Sequence, residues 1–110
     1  MKLSKEMCER MFAELPIEIQ RWMMCIITEL DGATKKHPEW LTERGGSHVD
    51  GAAVVAEEAG ELVRAALNYT YEGGRYYSMH EEAIQTAATC LRFLLNAPEN
   101  PLRKEVNHDQ

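Results

Sequence analysis

The sequence predicts an all-α fold, a bundle of about four helices. Apolar residues recur at helical spacing in four separate stretches. Helix breakers separate those stretches: Pro16, Gly45-Gly46 and Gly73-Gly74. No stretch shows sustained strand-like alternation, and there are no internal repeats or low-complexity tracts.

The first helix is expected over about residues 5–15. Met7, Met11 and Phe12 give it an apolar stripe, and Pro16 stops it. Pro16 also suits the first turn of the next helix, where a missing N–H costs little. That helix should run to about Asp31 or Lys35. Its apolar set is Ile17, Ile19, Trp22, Met23, Ile26, Ile27 and Leu30. So wide a stripe predicts burial on more than one side. Residues 36–47 read as loop, because His37-Pro38 favours extended backbone and Gly45-Gly46 breaks regular structure. The third helix is expected from Asp50, as N-cap, to about Tyr71, with Gly73-Gly74 ending it. The fourth is expected from Ser78, which with Glu81 has capping-box spacing, to about Asn96-Ala97-Pro98. Residues 1–100 then form one domain, and residues 101–110 a polar tail expected to fray.

At 110 residues the core is small, so self-association would supply missing apolar surface. No apolar run approaches the roughly 20 residues needed to span a bilayer, and no membrane partner is expected. The N-terminal residues turn polar and then amphipathic, unlike a signal peptide. Cys8, Cys25 and Cys90 are odd in number and widely spaced, which suits neither a disulfide framework nor a zinc motif. A reduced, cytoplasmic chain is the expectation. The net charge is −6, and no cluster of basic residues offers a nucleic-acid footprint. A polyanionic substrate would need a cation to bridge it to so acidic a protein.

The informative stretch is Glu57-Glu58-Ala59-Gly60-Glu61, with a second acidic group at Glu81-Glu82. At about 100° per residue, Val55, Ala59, Leu62, Ala66 and Tyr69 share one face of the third helix. Glu58 lies about 50° from the middle of that face, Glu61 about 110° and Glu57 about 150°. Glu58 therefore borders the core, Glu61 flanks it and Glu57 looks to solvent. Partly buried, two unit charges 4 Å apart repel by about 4 kcal/mol at an effective dielectric of 20. Either most of these carboxylates sit in water, or a cation relieves them, and oxygen donors suit magnesium or manganese. Gly60, inside a helix, marks close packing or a site. On the fourth helix, periodicity does not choose between Glu81 and Glu82, and Gln85 is within reach of either. A di-iron carboxylate bundle would need Glu-x-x-His pairs. The single such spacing, Glu105 to His108, falls in the tail.

Glu57-Glu58-Ala59-Gly60-Glu61, 19 intervening residues and Glu81-Glu82-Ala83-Ile84-Gln85 resemble the paired metal motifs of MazG-like all-α NTP pyrophosphohydrolases. That pattern is Glu-x-x-Glu, then Glu-x-x-Asp on the next core helix. The likeness runs over about residues 48–96 and is nearest the short, single-domain members of bacteria and phages. The His37-Pro38-Glu39-Trp40 loop is similar too. The resemblance pairs Glu58 with Glu61 and Glu82 with Gln85 as metal ligands, and so selects Glu82 over Glu81. Gln85 stands where the family carries aspartate; its amide oxygen can ligate a hard cation but brings no charge.

The resemblance implies hydrolysis of a nucleoside or deoxynucleoside triphosphate to monophosphate and pyrophosphate, with Mg²⁺, or Mn²⁺ in its place, held by Glu58, Glu61, Glu82 and Gln85. Glu61 and Glu57 become the catalytic candidates, Glu57 as orienter or base for the attacking water despite its outward direction. Lys36, Arg64 and Arg92, with Lys35 and Arg44, are candidates for the phosphates. Trp40 is one for stacking on the base, or else packs as a lid on the core; Asn68 would touch sugar or base. Family members associate through bundled helices, which implies a homodimer or homotetramer. The alternative is a helical nucleotide-binding or regulatory protein that keeps the fold without turnover. His37, His48 and His80 have no nucleophile beside them, and no Gly-rich phosphate loop is present.

Overall fold

The computed structural model describes residues 3–40, 47–96 and 102. Among them are four main helices, α1 (Lys5–Glu14), α2 (Ile17–Lys36), α3 (His48–Tyr71) and α4 (Tyr76–Leu95), and no strand. No helix is long and apolar enough to cross a membrane. Arg44, Gly45-Gly46, the expected stop at Ala97-Pro98 and nearly all of the expected tail, with Glu105 and His108, lie outside the described residues.

Local chemistry explains most helix ends. Ser4 caps α1, its hydroxyl accepting from the Met7 N–H at 3.1 Å. Pro16 occupies the N-cap of α2, one position before the first turn. The Gln20 amide donates to the Leu15 carbonyl at 2.9 Å and pins the α1–α2 turn. α2 runs on through Lys36, so the expected loop begins one residue later. Two expected starts need correction. Ser47, not Asp50, is the N-cap of α3: its hydroxyl accepts from the Asp50 N–H at 3.2 Å while the Asp50 carboxylate accepts from the Ser47 N–H at 2.8 Å. The Ser47 hydroxyl also donates to that carboxylate at 3.0 Å, and the bonds it accepts, first from the Ser47 backbone and then from the Ser47 side chain, hold the Asp50 carboxyl below its ordinary range. α4 begins at Tyr76 with Arg75 as N-cap, and Ser78 lies inside it. Tyr76 packs edge-on against Tyr69, ring centroids 5.2 Å apart, and against His80 one turn later at 4.7 Å. Helical backbone from residue 76 lets both contacts form, and they replace the Ser78 cap.

Gly73-Gly74 ends α3 as expected. Gly73 has φ +72°, a backbone region that glycine enters without steric cost. The Gly74 N–H then turns back to the Asn68 carbonyl at 2.8 Å. A Cβ on Gly74 would come within 2.9 Å of the Asn68 Cβ and 3.0 Å of its backbone carbon. Only glycine lets the chain double back this tightly.

α4 is the central helix, with α3 along one side and α2 along another; α1 makes no comparable contact. Small residues set these approaches. Ala65 and Ala88 are buried, and a Cβ on Gly51 would meet Phe93 at 3.1 Å and Trp40 at 3.4 Å. Trp40, Ala65 and Ala88 are the apolar residues buried among those described, and no large side chain is fully enclosed. The radius of gyration is 16.3 Å, against about 13 Å for a compact domain of this length.

Candidate functional site

Midway along α3 and near the start of α4, three carboxylates converge. Glu58, Glu61 and Glu82 each offer an oxygen, and these oxygens lie within 4.8 Å of one another. Glu58 and Glu61 are neighbours three apart on α3, and Glu82 reaches across from α4. Glu81, which periodicity left level with Glu82, is exposed. Glu58 is half-buried, while Glu61 and Glu57 are exposed, the order expected from the 100° period.

One oxygen of Glu58 and one of Glu82, both Oε2, are buried with no hydrogen-bond partner. Buried carboxylate oxygens are ordinarily paired, and these two have no partner among the described residues. Both carboxyls are raised above their ordinary range. For Glu58 the causes are burial, then the charges of Glu61, Glu57 and Glu29. For Glu82 they are burial, then the charge of Glu61 and a side-chain contact with it, then Glu58 and Glu81. The donor chemistry fits a hard divalent cation such as Mg²⁺ or Mn²⁺: three carboxylates converge, and two of them carry an unpartnered buried oxygen.

A cleft of about 370 Å³ opens beside the cluster, lined by Glu61, Arg64 and Asn68 of α3 and by Arg75, Ser78 and Glu82 at the start of α4. Two guanidiniums thus face the same space as two of the carboxylates. A second cleft, of about 460 Å³ between α2 and α4, includes Glu29, Glu81 and Gln85 in its lining.

The expected site residues divide accordingly. Glu58, Glu61 and Glu82 meet; Arg64 and Asn68 border the cleft; Glu57 stays on the solvent side. Gln85 lines the second cleft with Glu29. Arg92 and Trp40 do not join the site. Ten residues separate Arg92 from Glu82 on α4, about 15 Å along the axis. Arg92 is buried and donates to the carbonyls of His37, Ala33 at 3.3 Å and Glu39 at 3.5 Å. Its guanidinium lies over the Trp40 ring, 5.3 Å from the centroid. Trp40 is the lid on the core, not a free stacking surface. Lys36 is exposed at the end of α2, in the helix terminus that Arg92 fastens, and Lys35 pairs with Asp31 at 2.9 Å. Gly60 marks no close packing among the described residues, since an added Cβ would meet none of them within 4 Å.

Two residues escaped the sequence reading. Glu29 carried a signal: it stands in line with Trp22, Ile26 and Ala33, an acid inside the apolar stripe of α2. Arg75 carried none, because it follows the double glycine and depends on the turn for its direction. No protein-family model, curated protein or solved structure matches the chain.

Proposed function

We propose that this chain is a magnesium-dependent nucleotide pyrophosphohydrolase that converts a nucleoside or deoxynucleoside triphosphate to its monophosphate and pyrophosphate. The supporting observation is the pair of buried, unpartnered oxygens on Glu58 and Glu82, beside a cleft that also holds Arg64 and Arg75. Carboxylates alone would repel a triphosphate, and arginines alone would not need them. Together they suit a substrate that brings a hard cation with its phosphates.

Mg²⁺, or Mn²⁺ in its place, would be held by Glu58, Glu61 and Glu82, and would offset phosphate charge and activate water. The protein's own groups do the rest. Arg64 and Arg75 bind phosphate oxygens, for which the planar guanidinium is suited. Asn68 and Ser78 offer hydrogen bonds at the cleft edge. Glu61, with Glu57 behind it on the solvent side, orients the attacking water and takes its proton as the phosphoanhydride bond breaks and pyrophosphate leaves. Three exposed, free cysteines fit a reducing compartment, so we place the activity in the cytoplasm, in a homodimer or homotetramer.

A panel of natural nucleoside and deoxynucleoside triphosphates, assayed for pyrophosphate with Mg²⁺ or Mn²⁺, tests the reading. Product is expected from at least one, with Glu61→Ala lowering the rate by about 100-fold or more, the scale for loss of a group acting in the transition state. No product with either metal across the panel overturns catalysis. One observation favours a nucleotide-binding protein without turnover: Gln85, in the position of an expected acid, lines a different cleft from Glu61. Calorimetric binding of a triphosphate without product would select it.

A further inference from the structure

Trp40 is enclosed, with Arg92 over its ring, and offers a base no face to stack on. Another ring stands where a nucleotide laid along the cleft needs one. At about 100° per residue, Glu61, Arg64, Asn68 and Tyr71 lie within about 80° of one another on α3, beside the strip on which Gly51 and Ala65 are buried. Glu61, Arg64 and Asn68 line the cleft. Tyr71 carries the same line about one turn past Asn68, as the last residue of α3. α4 runs the opposite way, since Glu58 meets Glu82 and Tyr69 meets Tyr76. Its Glu82, Ser78 and Arg75 therefore follow the cleft toward the same end.

The chemistry changes in order along that line. The carboxylates of Glu58, Glu61 and Glu82 stand at the inner end. Arg64 follows, with Ser78 and Arg75 on the facing helix, and then the Asn68 amide. The Tyr71 ring comes last, ten residues and about 15 Å of helix from Glu61. A nucleoside triphosphate presents a matching series: phosphates that carry a metal, further phosphate charge, a hydroxyl-bearing sugar and a flat base. Tyr71 is 78% exposed. Trp22, Tyr69 and Tyr76 are each engaged by another ring, and Tyr71 has no ring against it among the described residues. A base laid on Tyr71 covers its apolar face and leaves the hydroxyl at the edge in water.

We propose that Tyr71 is the platform on which the substrate's base stacks, with the sugar at Asn68 and the phosphates between Arg64 and Arg75. The assignment rests on the hydrolase reading, which puts the phosphates in this cleft. Every base has a π-face, so stacking is tolerant of base identity. Tyr71 thus adds affinity for nucleotides as a class rather than choosing among them.

Calorimetry on the full chain with Mg²⁺ separates base from phosphate. One set of probes is the α,β-methylene analogues of the common ribo- and deoxynucleoside triphosphates, in which carbon replaces the bridging oxygen of the bond to be cleaved. The other probe is inorganic tripolyphosphate, which has no base. Tyr71→Ala should weaken the nucleotide analogues about tenfold, within the range for loss of one base–aromatic stack, and leave tripolyphosphate binding unchanged. Tyr71→Phe should bind the analogues as the wild type does, because the ring stacks and the hydroxyl does not. Alanine favours a helix more than tyrosine, so the helical circular dichroism should hold in both variants. The platform is overturned, with the hydrolase reading left standing, if Tyr71→Ala binds nucleotides like the wild type, weakens both kinds of probe equally, or is matched by Tyr71→Phe. A wild-type chain that binds no nucleotide analogue overturns both.

Discussion

The α3–α4 pair buries charge in two places and treats it in opposite ways. Near the end of α4, Arg92 is buried but surrounded by carbonyls of Ala33, His37 and Glu39, with the Trp40 ring against it. Nearer its start, Glu82, and Glu58 across from it on α3, each bury an oxygen with no hydrogen-bond partner among the described residues. Buried charge is tolerated when it is hydrogen-bonded and costs stability when it is not. The contrast separates a charge whose hydrogen bonds hold the structure together from charges left without such bonds among the described residues. Residue type alone does not: an arginine near a suspected phosphate site reads as a ligand until its partners are known.

Three measurements probe that contrast, and the largest effect belongs to the satisfied end. Arg92→Met keeps much of the packing but strands the carbonyls that Arg92 now joins. A loss of about 3 kcal/mol is expected in denaturant unfolding, the scale for charged hydrogen bonds and the acceptors left behind. An unfolding midpoint that did not move would mean the guanidinium is not the fastener described above.

Next in size is cation binding at the other end. Free Mg²⁺ at about 100 times its dissociation constant should stabilise the fold by about 2.7 kcal/mol. The gain should vanish in a Glu58→Gln, Glu82→Gln double variant and persist in Arg92→Met. A melting temperature indifferent to millimolar Mg²⁺ and Mn²⁺, with and without nucleotide, would remove the case for a metal site.

The smallest effect is the most specific. In chelator, Glu82→Gln should stabilise the protein, by on the order of a few tenths of a kcal/mol, as expected for relief of a like-charge pair. The pH dependence has the same origin. Folding raises both the Glu58 and Glu82 carboxyls, so the folded state binds protons more tightly than the unfolded chain. The stability this confers is fully present below the ordinary glutamate range and is lost as pH rises through the raised values. Metal-free protein should therefore melt lower at neutral than at mildly acidic pH, and saturating Mg²⁺ should remove this contribution. A metal-free melting curve in which Glu82→Gln leaves the acid-to-neutral difference intact would show that these carboxyls are not its source.

Much of this was legible in the residues. Apolar spacing located four helices, and the double glycine located the end of α3. The helical period ordered Glu58, Glu61 and Glu57 from core to solvent because α3 packs mainly on one side. The same reasoning stalled on α4, which lies between α2 and α3, so that Glu81 and Glu82 each fell beside an apolar face. The N-caps slipped for a different reason. Asp50 has the chemistry of a cap, but Ser47 three residues earlier completes a reciprocal pair with it; at Ser78, the contacts of Tyr76 with Tyr69 and His80 outweighed the local box. Arg92 and Arg75 were unreadable, and Trp40 was left between base stacking and a lid on the core, for a shared reason: their roles are set by what the chain brings beside them, and periodicity within a helix carries no such information.

The tight reversal at Gly73 and Gly74 also sets the rotational phase of α4. Helical backbone advances about 100° and 1.5 Å with each residue, and the turn has no slack to absorb a change. One extra residue there would rotate the start of α4 by nearly a third of a revolution, carrying Glu82 off its line toward Glu58 and Arg75 out of the cleft. The loop is short and carries no chemistry of its own, yet its length is among the tightest constraints on the site, and insertions there should be tolerated far less than an exposed loop tip ordinarily allows.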